Sequence, residues 1–258
     1  MSTGIKGLLA HPATRDLVVD DPRTTERRRD IIRSNRFLWR IYDEWYRSIA
    51  ACILREPGEV LELGSGAGFL SDYIPNLIES EVFPCSGIKL VLDARLLPFP
   101  SGGLKAIAMV DVLHHIPDNR AFLAEAQRCL RPGGSLVMIE PWVSNWSRLI
   151  YTHLHHEPFD PGATSWTFPE TGPLSGANGA LPWIIFERDR QTFERDFPDL
   201  EIRSVRPFMP FRYLVSGGVS MRQLMPETLY PLWRNLDSVL SRWSRQWSMF
   251  ALIHVLRR

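Results

Sequence analysis

The sequence lacks the features that mark secreted, membrane-spanning and disulfide-stabilised proteins. Its 258 residues contain three cysteines, Cys52, Cys85 and Cys129. An odd number without Cys-x-x-Cys spacing argues against a disulfide framework and against a structural zinc site. No apolar run reaches the roughly 20 residues that a membrane span needs, and the first residues do not have the pattern of a secretory signal. We therefore expect a cytoplasmic protein without a transmembrane segment.

An excess of either charge is also missing. Lys plus Arg number 30 and Asp plus Glu 29, so no overall electrostatic attraction draws the chain to nucleic acid. The densest basic stretch is residues 23–36, which Glu26 and Asp30 interrupt. We interpret it as the solvated face of a helix and predict no nucleic-acid partner.

The patterning of the chain predicts one α/β domain over residues 1–258. Apolar residues recur at helical spacing over 24–52, which predicts an amphipathic helix that covers the core. In residues 58–141, short apolar strands alternate with helical segments, which is typical of a doubly wound parallel sheet with helices on both faces. Residues 142–187 are rich in Trp, His, Pro and Gly and are predicted to form a lid or substrate insertion. Residues 188–258 are predicted to complete the sheet around a helical insertion.

The strongest motif is a glycine-rich turn after the first strand of this core. Glu62 lies in the strand, and the turn that follows carries Gly64, Ser65, Gly66 and Gly68. Glycines in a strand-to-helix turn allow a ligand to approach the backbone because no Cβ is in the way. The spacing Gly-x-Gly-x-Gly fits the dinucleotide fingerprint Gly-x-Gly-x-x-Gly poorly.

With this turn and the elements that follow it, the sequence resembles the class I S-adenosylmethionine-dependent methyltransferases over residues 58–141. The resemblance implies a mostly parallel Rossmann-like sheet with an antiparallel last strand, and S-adenosylmethionine as the cofactor. Glu62 and the Gly64–Gly68 backbone would receive the amino-acid end of that cofactor. The other matched residues are Glu81 for the ribose, with Glu79 as an alternative register, Asp93 and Ala94 for the adenine, and Asp111 and Val112 near the sulfonium.

Histidines supply the candidate catalytic groups. His114 and His115 follow the fourth strand of the core, where one could act as a general base or could pack locally. His155 and His156 in the insertion are the next candidates. The insertion holds a denser cluster of possible ligands, His153, His155, His156 and Glu157. Acceptor binding is the preferred interpretation of that cluster, and no metal site is predicted, because this spacing does not establish convergence in space.

Two groups of tryptophans leave alternatives open. Trp142, Trp146, Trp166 and Trp183 could wall an acceptor pocket or form a small core within the lid. A C-terminal amphipathic helix over residues 226–247 is predicted to pack against the sheet, with contact to a membrane surface as the alternative.

Function is predicted as methyl transfer to a small-molecule acceptor, which could be lipid-linked or a sugar, on oxygen or carbon. The alternative is a methyltransferase-like fold that serves as a binding or scaffold subunit without catalysis. A nicotinamide dehydrogenase would require the longer glycine spacing, and an enzyme acting on bases would require a basic cleft. The oligomeric state is not readable from the sequence.

Overall fold

A seven-stranded sheet forms the centre of the molecule. The computed structural model describes residues 9–14, 17–88, 90–155 and 157–258. The strands are β1 (Glu59–Leu63), β2 (Leu77–Glu81), β3 (Leu90–Val91), β4 (Leu104–Val110), β5 (Leu130–Pro141), β6 (Leu200–Phe208) and β7 (Phe250–Arg257). Their order is β3-β2-β1-β4-β5-β7-β6. β7 runs antiparallel to β5 and β6, and the other neighbouring pairs are parallel. The predicted doubly wound sheet with an antiparallel last strand is confirmed.

Helices cover both faces of this sheet. They are α1 (Pro22–Ser34), α2 (Arg36–Cys52), α3 (Asn119–Cys129), α4 (Asn145–His153), α5 (Leu181–Trp183), α6 (Arg190–Asp196), α7 (Arg212–Ser216) and α8 (Tyr230–Trp243). A π-helical segment, Ile184–Arg188, joins α5 to α6. Successive strand residues point to opposite faces, so Ile107 of β4 packs in the core under α3, while Ala108 packs in the core under α1 and α2. Both are fully buried, as expected of a central parallel strand.

The N-terminal cover consists of two helices where the sequence predicted one. Asn35 separates them: its backbone N–H donates to Ile31 O, while its side chain accepts from Leu38 N at 3.0 Å. The same side chain donates to Ser216 O at 2.9 Å. Asn35 therefore ends α1, begins α2 and fixes the bend against α7.

The connection from the glycine turn to β2 contains a 3₁₀ turn, Leu70–Asp72, and no α-helix. Further 3₁₀ turns lie at Ser65–Ala67, Leu113–His115, Glu227–Leu229 and Arg245–Trp247. The end of β2 lies beside the glycine turn, where Ser80 N donates to Ser65 Oγ at 3.2 Å.

The C-terminal helix lies against β6 of the sheet, as predicted, and Tyr230 and Trp233 pack into the core under α1 and α2. Polar contacts hold α8: the carboxylate of Asp237 accepts from the backbone N–H of Phe211 at 3.0 Å and from Arg212 Nε at 2.8 Å. Four residues at helical spacing face solvent with 39–79% of their surface exposed, namely Leu232, Leu236, Val239 and Trp243. We call these four residues the α8 stripe. Within the described ranges, no helix is long and apolar enough to cross a membrane.

Candidate functional site

The main cavity opens at the carboxyl ends of the parallel strands. Gly64 follows β1, Val82 follows β2 and Asp111 follows β4, and all three line it. Its volume is about 1300 Å³ when the open mouth is counted. Ligands of open α/β sheets bind at this edge.

The glycine turn is packed too tightly to accept side chains. Gly64 has φ +68°, a left-handed conformation that favours glycine, and a Cβ there would lie 2.4 Å from Val112 Cγ2. A Cβ on Gly66 would lie 2.5 Å from Glu81 Oε1. The turn is therefore held against the ends of β2 and β4, and its backbone is part of the cavity wall at Gly64 and Ala67.

Two buried carboxyl groups flank the turn. Glu81 lines the cavity, and its Oε1 accepts from Gly66 N at 2.8 Å. Burial raises the pKa of Glu81, and the N–H groups of Gly66 and Val82 oppose that shift. Glu62 lies beneath the turn, is 3% exposed and does not line the cavity. Burial raises the pKa of Glu62 to about 8, and no described residue forms a hydrogen bond with its Oε2.

An ion-pair chain crosses the cavity mouth beyond β3. The carboxylate of Asp93 accepts from Arg95 Nε and Nη2, at 3.0 and 2.7 Å. Arg95 Nη1 also donates to Glu170 of the insertion at 3.0 Å. The Arg95 guanidinium holds the pKa of Asp93 below its usual range. Asp93, Ala94, Arg95 and Glu170 all line the cavity.

A polar network sits at the carboxyl end of β4 and centres on Glu140 of β5. Glu140 is fully buried, and its Oε1 accepts from the backbone N–H groups of Val112 and Leu113, both at 2.8 Å. Its Oε2 lies 2.7 Å from His114 Nδ1. Asp111, just before these amides, has a left-handed φ of 62°. Strained backbone of this kind clusters at functional sites, and here Glu140 holds it in place.

Three histidines surround Glu157 of the insertion. Its carboxylate lies 3.4 Å from His114 Nε2, 3.7 Å from His115 Nε2 and 3.7 Å from His155 Nδ1. Burial opposes a charge on His114, but Glu140 and Glu157 outweigh it and raise the pKa of His114 well above its ordinary value. Burial, followed by the charge on His114, lowers the pKa of His115 to about 4. The pKa values of the two neighbouring histidines are thus shifted in opposite directions.

A second, mainly apolar cavity lies next to the first. Its volume is about 640 Å³ with its mouth counted. Apolar lining comes from α4, the insertion, α7 and the start of β7, chiefly Ile150, Tyr151, Leu154, Phe159, Leu214, Met249 and Phe250. Five residues line both cavities: Asp111, His155, Glu157, Tyr213 and Ser220. The polar network is thus the partition between the two spaces.

Helix α1 contributes more than a solvated face. Thr25 and Arg28 line the main cavity, and Arg29 donates to Gly66 O and, at 3.0 Å, to Ser86 O. Among the described contacts, Arg28 has no ion pair. The interpretation of residues 23–36 as a purely solvated face was wrong for Arg28 and Arg29, and correct for the exposed Arg27–Asp30 pair.

The structure brings together most of the residues that the sequence singled out. The cavity is lined by Gly64, Glu81, Asp93, Ala94, Asp111, Val112, His115 and His155. Ser65, Gly66 and Gly68 shape the turn without lining the cavity, and His114 lies behind the wall. Glu79 lies outside, where it accepts from Ser71 Oγ at 3.1 Å. His156 falls outside the described residues.

Sequence reasoning missed Glu140, and it placed Glu157 only in a local cluster. A signal for Glu140 existed: it is an acidic residue at the end of the apolar run 136–139, and buried acids in strands require partners. The convergence of Glu157 with His114 and His115, over forty residues away, had no sequence signal.

The four insertion tryptophans do not wall either cavity. Trp142 and Trp166 are buried in the core that contains α3, and Trp166 Nε1 donates to Asp189 at 2.9 Å. Trp183 packs against that core, while Trp146 packs against the opposite one and donates to Pro210 O at 2.8 Å. The acceptor-wall interpretation was wrong, and so was the alternative of a small core within the lid, because these side chains pack into or against the two main cores of the domain.

Comparison with known proteins agrees with this geometry. Residues 61–138 match the family model described as a methyltransferase domain, and those residues form β1 to β5 with the glycine turn, Glu81 and Asp111. Residues 61–138 are therefore a methyltransferase domain of the class I type.

The methyltransferase domain has curated relatives over part of its length. It is 29% identical over 126 residues to a demethylmenaquinone methyltransferase of Tropheryma whipplei, covering 42% of this chain and 53% of the relative. A 57-residue match at 44% identity is to an uncharacterized protein in transposon TN4556 of Streptomyces fradiae, covering 22% of this chain and 16% of that protein. The chain thus spans about half the length of the first relative and less of the second.

Solved structures share the methyltransferase fold at low sequence identity. A geranyl diphosphate methyltransferase in complex with SAM has a TM-score of 0.52 and 14% identity, with coverage of 86% of this chain and 87% of that one. The geranyl diphosphate C-methyltransferase of Streptomyces coelicolor A3(2) has a TM-score of 0.51 and 14% identity, with coverage of 84% and 76%. At this identity the likeness shows the fold.

Proposed function

We propose that this chain binds S-adenosylmethionine and transfers its methyl group to a small organic acceptor, on oxygen or carbon. The observation that carries the proposal is the pair of adjacent cavities. One lies at the sheet edge where the superfamily motif is found, the other is apolar, and Asp111, His155 and Glu157 line both.

The residues of the first cavity fit the proposed cofactor. The buried Glu81 carboxylate can accept hydrogen bonds from the two ribose hydroxyls, and Asp93 with Ala94 flanks the space for the adenine. Glu62 does not line the cavity; its buried Oε2, without a hydrogen-bond partner among the described residues, lies beneath the turn that would receive the amino-acid end. We propose these roles, with the backbone from Gly64 to Gly68 holding the carboxylate end.

When bound, S-adenosylmethionine supplies an electrophilic methyl group on a positively charged sulfur. The chain supplies alignment and exclusion of water. Glu140 fixes the amides of Val112 and Leu113, which sets the position of Asp111. From above, Thr25 and Arg28 of α1 and Leu174 of the insertion cover the cavity. Such alignment can lower a barrier by roughly 7–11 kcal/mol.

We place the acceptor body in the apolar cavity and its reacting atom at the partition. Lining such as Ile150, Phe159 and Met249 favours an acceptor with an apolar body over a bare sugar. The partition offers His115, His155 and Glu157 to hold the reacting atom or to take its proton. Relatives named for demethylmenaquinone and geranyl diphosphate support a small organic acceptor.

Calorimetric titration of the purified chain with S-adenosylmethionine, S-adenosylhomocysteine and NAD tests the cofactor. We expect micromolar binding of the first two ligands and none of NAD. If folded protein binds neither adenosyl ligand, the proposal is wrong, and a binding or scaffold subunit is the better description. After binding is established, transfer of radiolabelled methyl to hydrophobic hydroxylated or prenylated compounds, with free sugars in parallel, tests the acceptor.

A further inference from the structure

The partition between the two cavities has the construction of a metal site. We propose that His114, His115 and Glu157 bind one divalent transition-metal ion of the zinc class, with a coordination position left open for an oxygen ligand. The proposal concerns the partition itself, and its use in methyl transfer to the acceptor rests on the proposed function.

The ligand atoms of the three residues converge in space. One ligand atom from each of these three residues lies within 4.8 Å of the others. His114 and His115 come from the turn after β4, and Glu157 comes from the insertion. Two imidazoles and one carboxylate form a ligand set that catalytic zinc sites use with an open fourth position, and that other transition metals of this class also accept.

The orientation of both imidazole rings also supports a metal site. His114 places Nδ1 2.7 Å from Glu140 Oε2, and His115 places Nδ1 3.2 Å from Gly176 O. Each ring therefore has an acceptor for an Nδ1 proton and presents Nε2 to Glu157. Metal-binding histidines are oriented in this way, by a carboxylate or a backbone carbonyl on the second nitrogen.

The distances between the imidazole nitrogens and the carboxylate oxygens fit ligands of one metal ion. Among the described residues, buried His114 Nε2 makes no hydrogen bond of good geometry. It lies 3.4 Å from Glu157 Oε2, and His115 Nε2 lies 3.7 Å from Glu157 Oε1. These separations exceed a good N–H···O hydrogen bond, which is about 2.7–3.2 Å. Two ligands about 2.0–2.1 Å from a tetrahedral ion are roughly 3.4 Å apart, so small shifts would complete the coordination.

The open position would face the cavities. Asp111 Oδ1 lies 4.0 Å from His114 Nε2 and lines both spaces, as Glu157 does. An oxygen of the acceptor, or a water, fits there, and a metal ion would increase the acidity of a bound hydroxyl.

The test is a titration of the full chain, freed of metal by chelator and dialysis, with Co²⁺ followed by visible absorption. Calorimetry with Zn²⁺, and with Mg²⁺ as a hard-cation control, accompanies it. We expect one Co²⁺ per chain with the intense absorption of low-coordinate cobalt, displacement by Zn²⁺, and no competition by Mg²⁺. If His114 is instead an imidazolium held between two carboxylates without metal, then Co²⁺ will give no visible absorption band and Zn²⁺ will give no heat of binding. That outcome would contradict the proposal.

Variants locate the ion. His115→Ala and Glu157→Gln should weaken Zn²⁺ binding by about 100-fold or more, since loss of an outer partner alone costs about 10- to 100-fold. His153→Ala is the matched control, because this exposed histidine of the same cluster contacts Leu149 O on its own helix. His115→Cys restores a ligand and should give a thiolate-to-Co²⁺ charge-transfer band. Thermal melts check that each variant is folded.

Undiminished binding in both His115→Ala and Glu157→Gln, or equal loss in His153→Ala, would also overturn the proposal. The titrations need no cofactor, so the two proposals fail separately. Metal binding without S-adenosylmethionine binding would remove the proposed function and leave this site, and the reverse would remove the site alone.

Discussion

At the scale of single residues, Glu62 places a carboxyl group where water does not reach. Its pKa of about 8 results from burial, and the charges of Glu79 and Glu81 add to that shift. An unfolded glutamate has a pKa near 4.5. Between these two values the folded chain retains a proton that the unfolded chain has released. The free energy of unfolding therefore falls as the pH rises from about 4.5 to 8.

Glu62→Gln should remove this penalty because glutamine has the same shape and stays neutral. We expect the cofactor-free variant to be more stable than the native chain by about 2–4 kcal/mol at pH 8. At pH 4.5 the two should be nearly equal. Urea unfolding at both pH values measures the difference, and a gain that is the same at both would mean that Glu62 is not protonated in the fold.

Glu81→Ala tests the proposed ribose contact. Loss of hydrogen bonds to a charged group costs about 1.5–3 kcal/mol, so S-adenosylmethionine affinity should fall by roughly 10- to 150-fold. Binding of the acceptor should change little. Glu79→Ala is the matched control, because Glu79 lies two residues earlier in β2 and contacts Ser71 outside the cavity. Calorimetry that finds the larger loss in the control would shift the register of the motif by two residues.

The sequence could identify residues whose role follows from a short motif. Glu81 was placed by its position at the end of β2, and Asp111 by the end of β4. Arg29 was not identified, since its contact with Gly66 O joins parts of the chain 37 residues apart. The partners of His114 were missed for the same reason, because Glu140 and Glu157 belong to different elements from the histidine.

At the scale of elements, patterning located the strands better than it located the ends and packing of helices. Strand positions follow from apolar runs bounded by turns, and the predicted core over residues 58–141 contains β1 to β5. Periodicity over 24–52 continued through Asn35, which concealed the break that its side chain makes. For α8, periodicity showed an apolar stripe but not its direction, which the buried Arg212–Asp237 ion pair sets.

The exposure of the α8 stripe leads to a stability prediction. Val239 is 63% exposed and Trp243 79%, so Val239→Ser and Trp243→Ser should each change the free energy of unfolding by no more than about 0.5 kcal/mol. Tyr230→Phe on the same helix is the matched comparison. Tyr230 is buried, and its hydroxyl contacts Arg212 Nη1 and Arg40 O at 3.0 and 3.1 Å. Its loss should cost about 1–3 kcal/mol.

Chemical denaturation of the three variants measures these differences. If the stripe substitutions lower the free energy of unfolding by about 2–5 kcal/mol, as truncation of buried side chains does, then the α8 stripe is covered in solution and the prediction fails.

At the scale of the whole molecule, the cavity roof joins two distant parts of the chain. Asp20, before α1, accepts from the backbone N–H groups of Leu174 and Ser175 in the insertion, at 2.7 and 2.9 Å. On the other side of the cavity, the Arg95 guanidinium forms an ion pair with Glu170 at 3.0 Å. Patterning could predict that both segments cover the sheet edge, but these contacts depend on the folded arrangement of loops without periodicity. Residues 170–176 therefore cover the cavity as a strap that a few polar contacts hold in place.

Asp20→Ala should release this strap without disturbing the sheet. Hydrogen bonds to a carboxylate are worth about 1.5–3 kcal/mol, so amide exchange over residues 170–176 should become about tenfold faster or more. Because the strap covers the cavity that we assign to the cofactor, dissociation of S-adenosylmethionine should also become faster. Asp30→Ala is the control, since Asp30 is exposed and pairs only with the neighbouring Arg27 at 3.5 Å. Hydrogen-exchange mass spectrometry of both variants measures the difference. Faster exchange confined to residues 170–176 in Asp20→Ala supports the strap. Equal exchange in the two variants would show that side-chain packing alone holds the insertion in place.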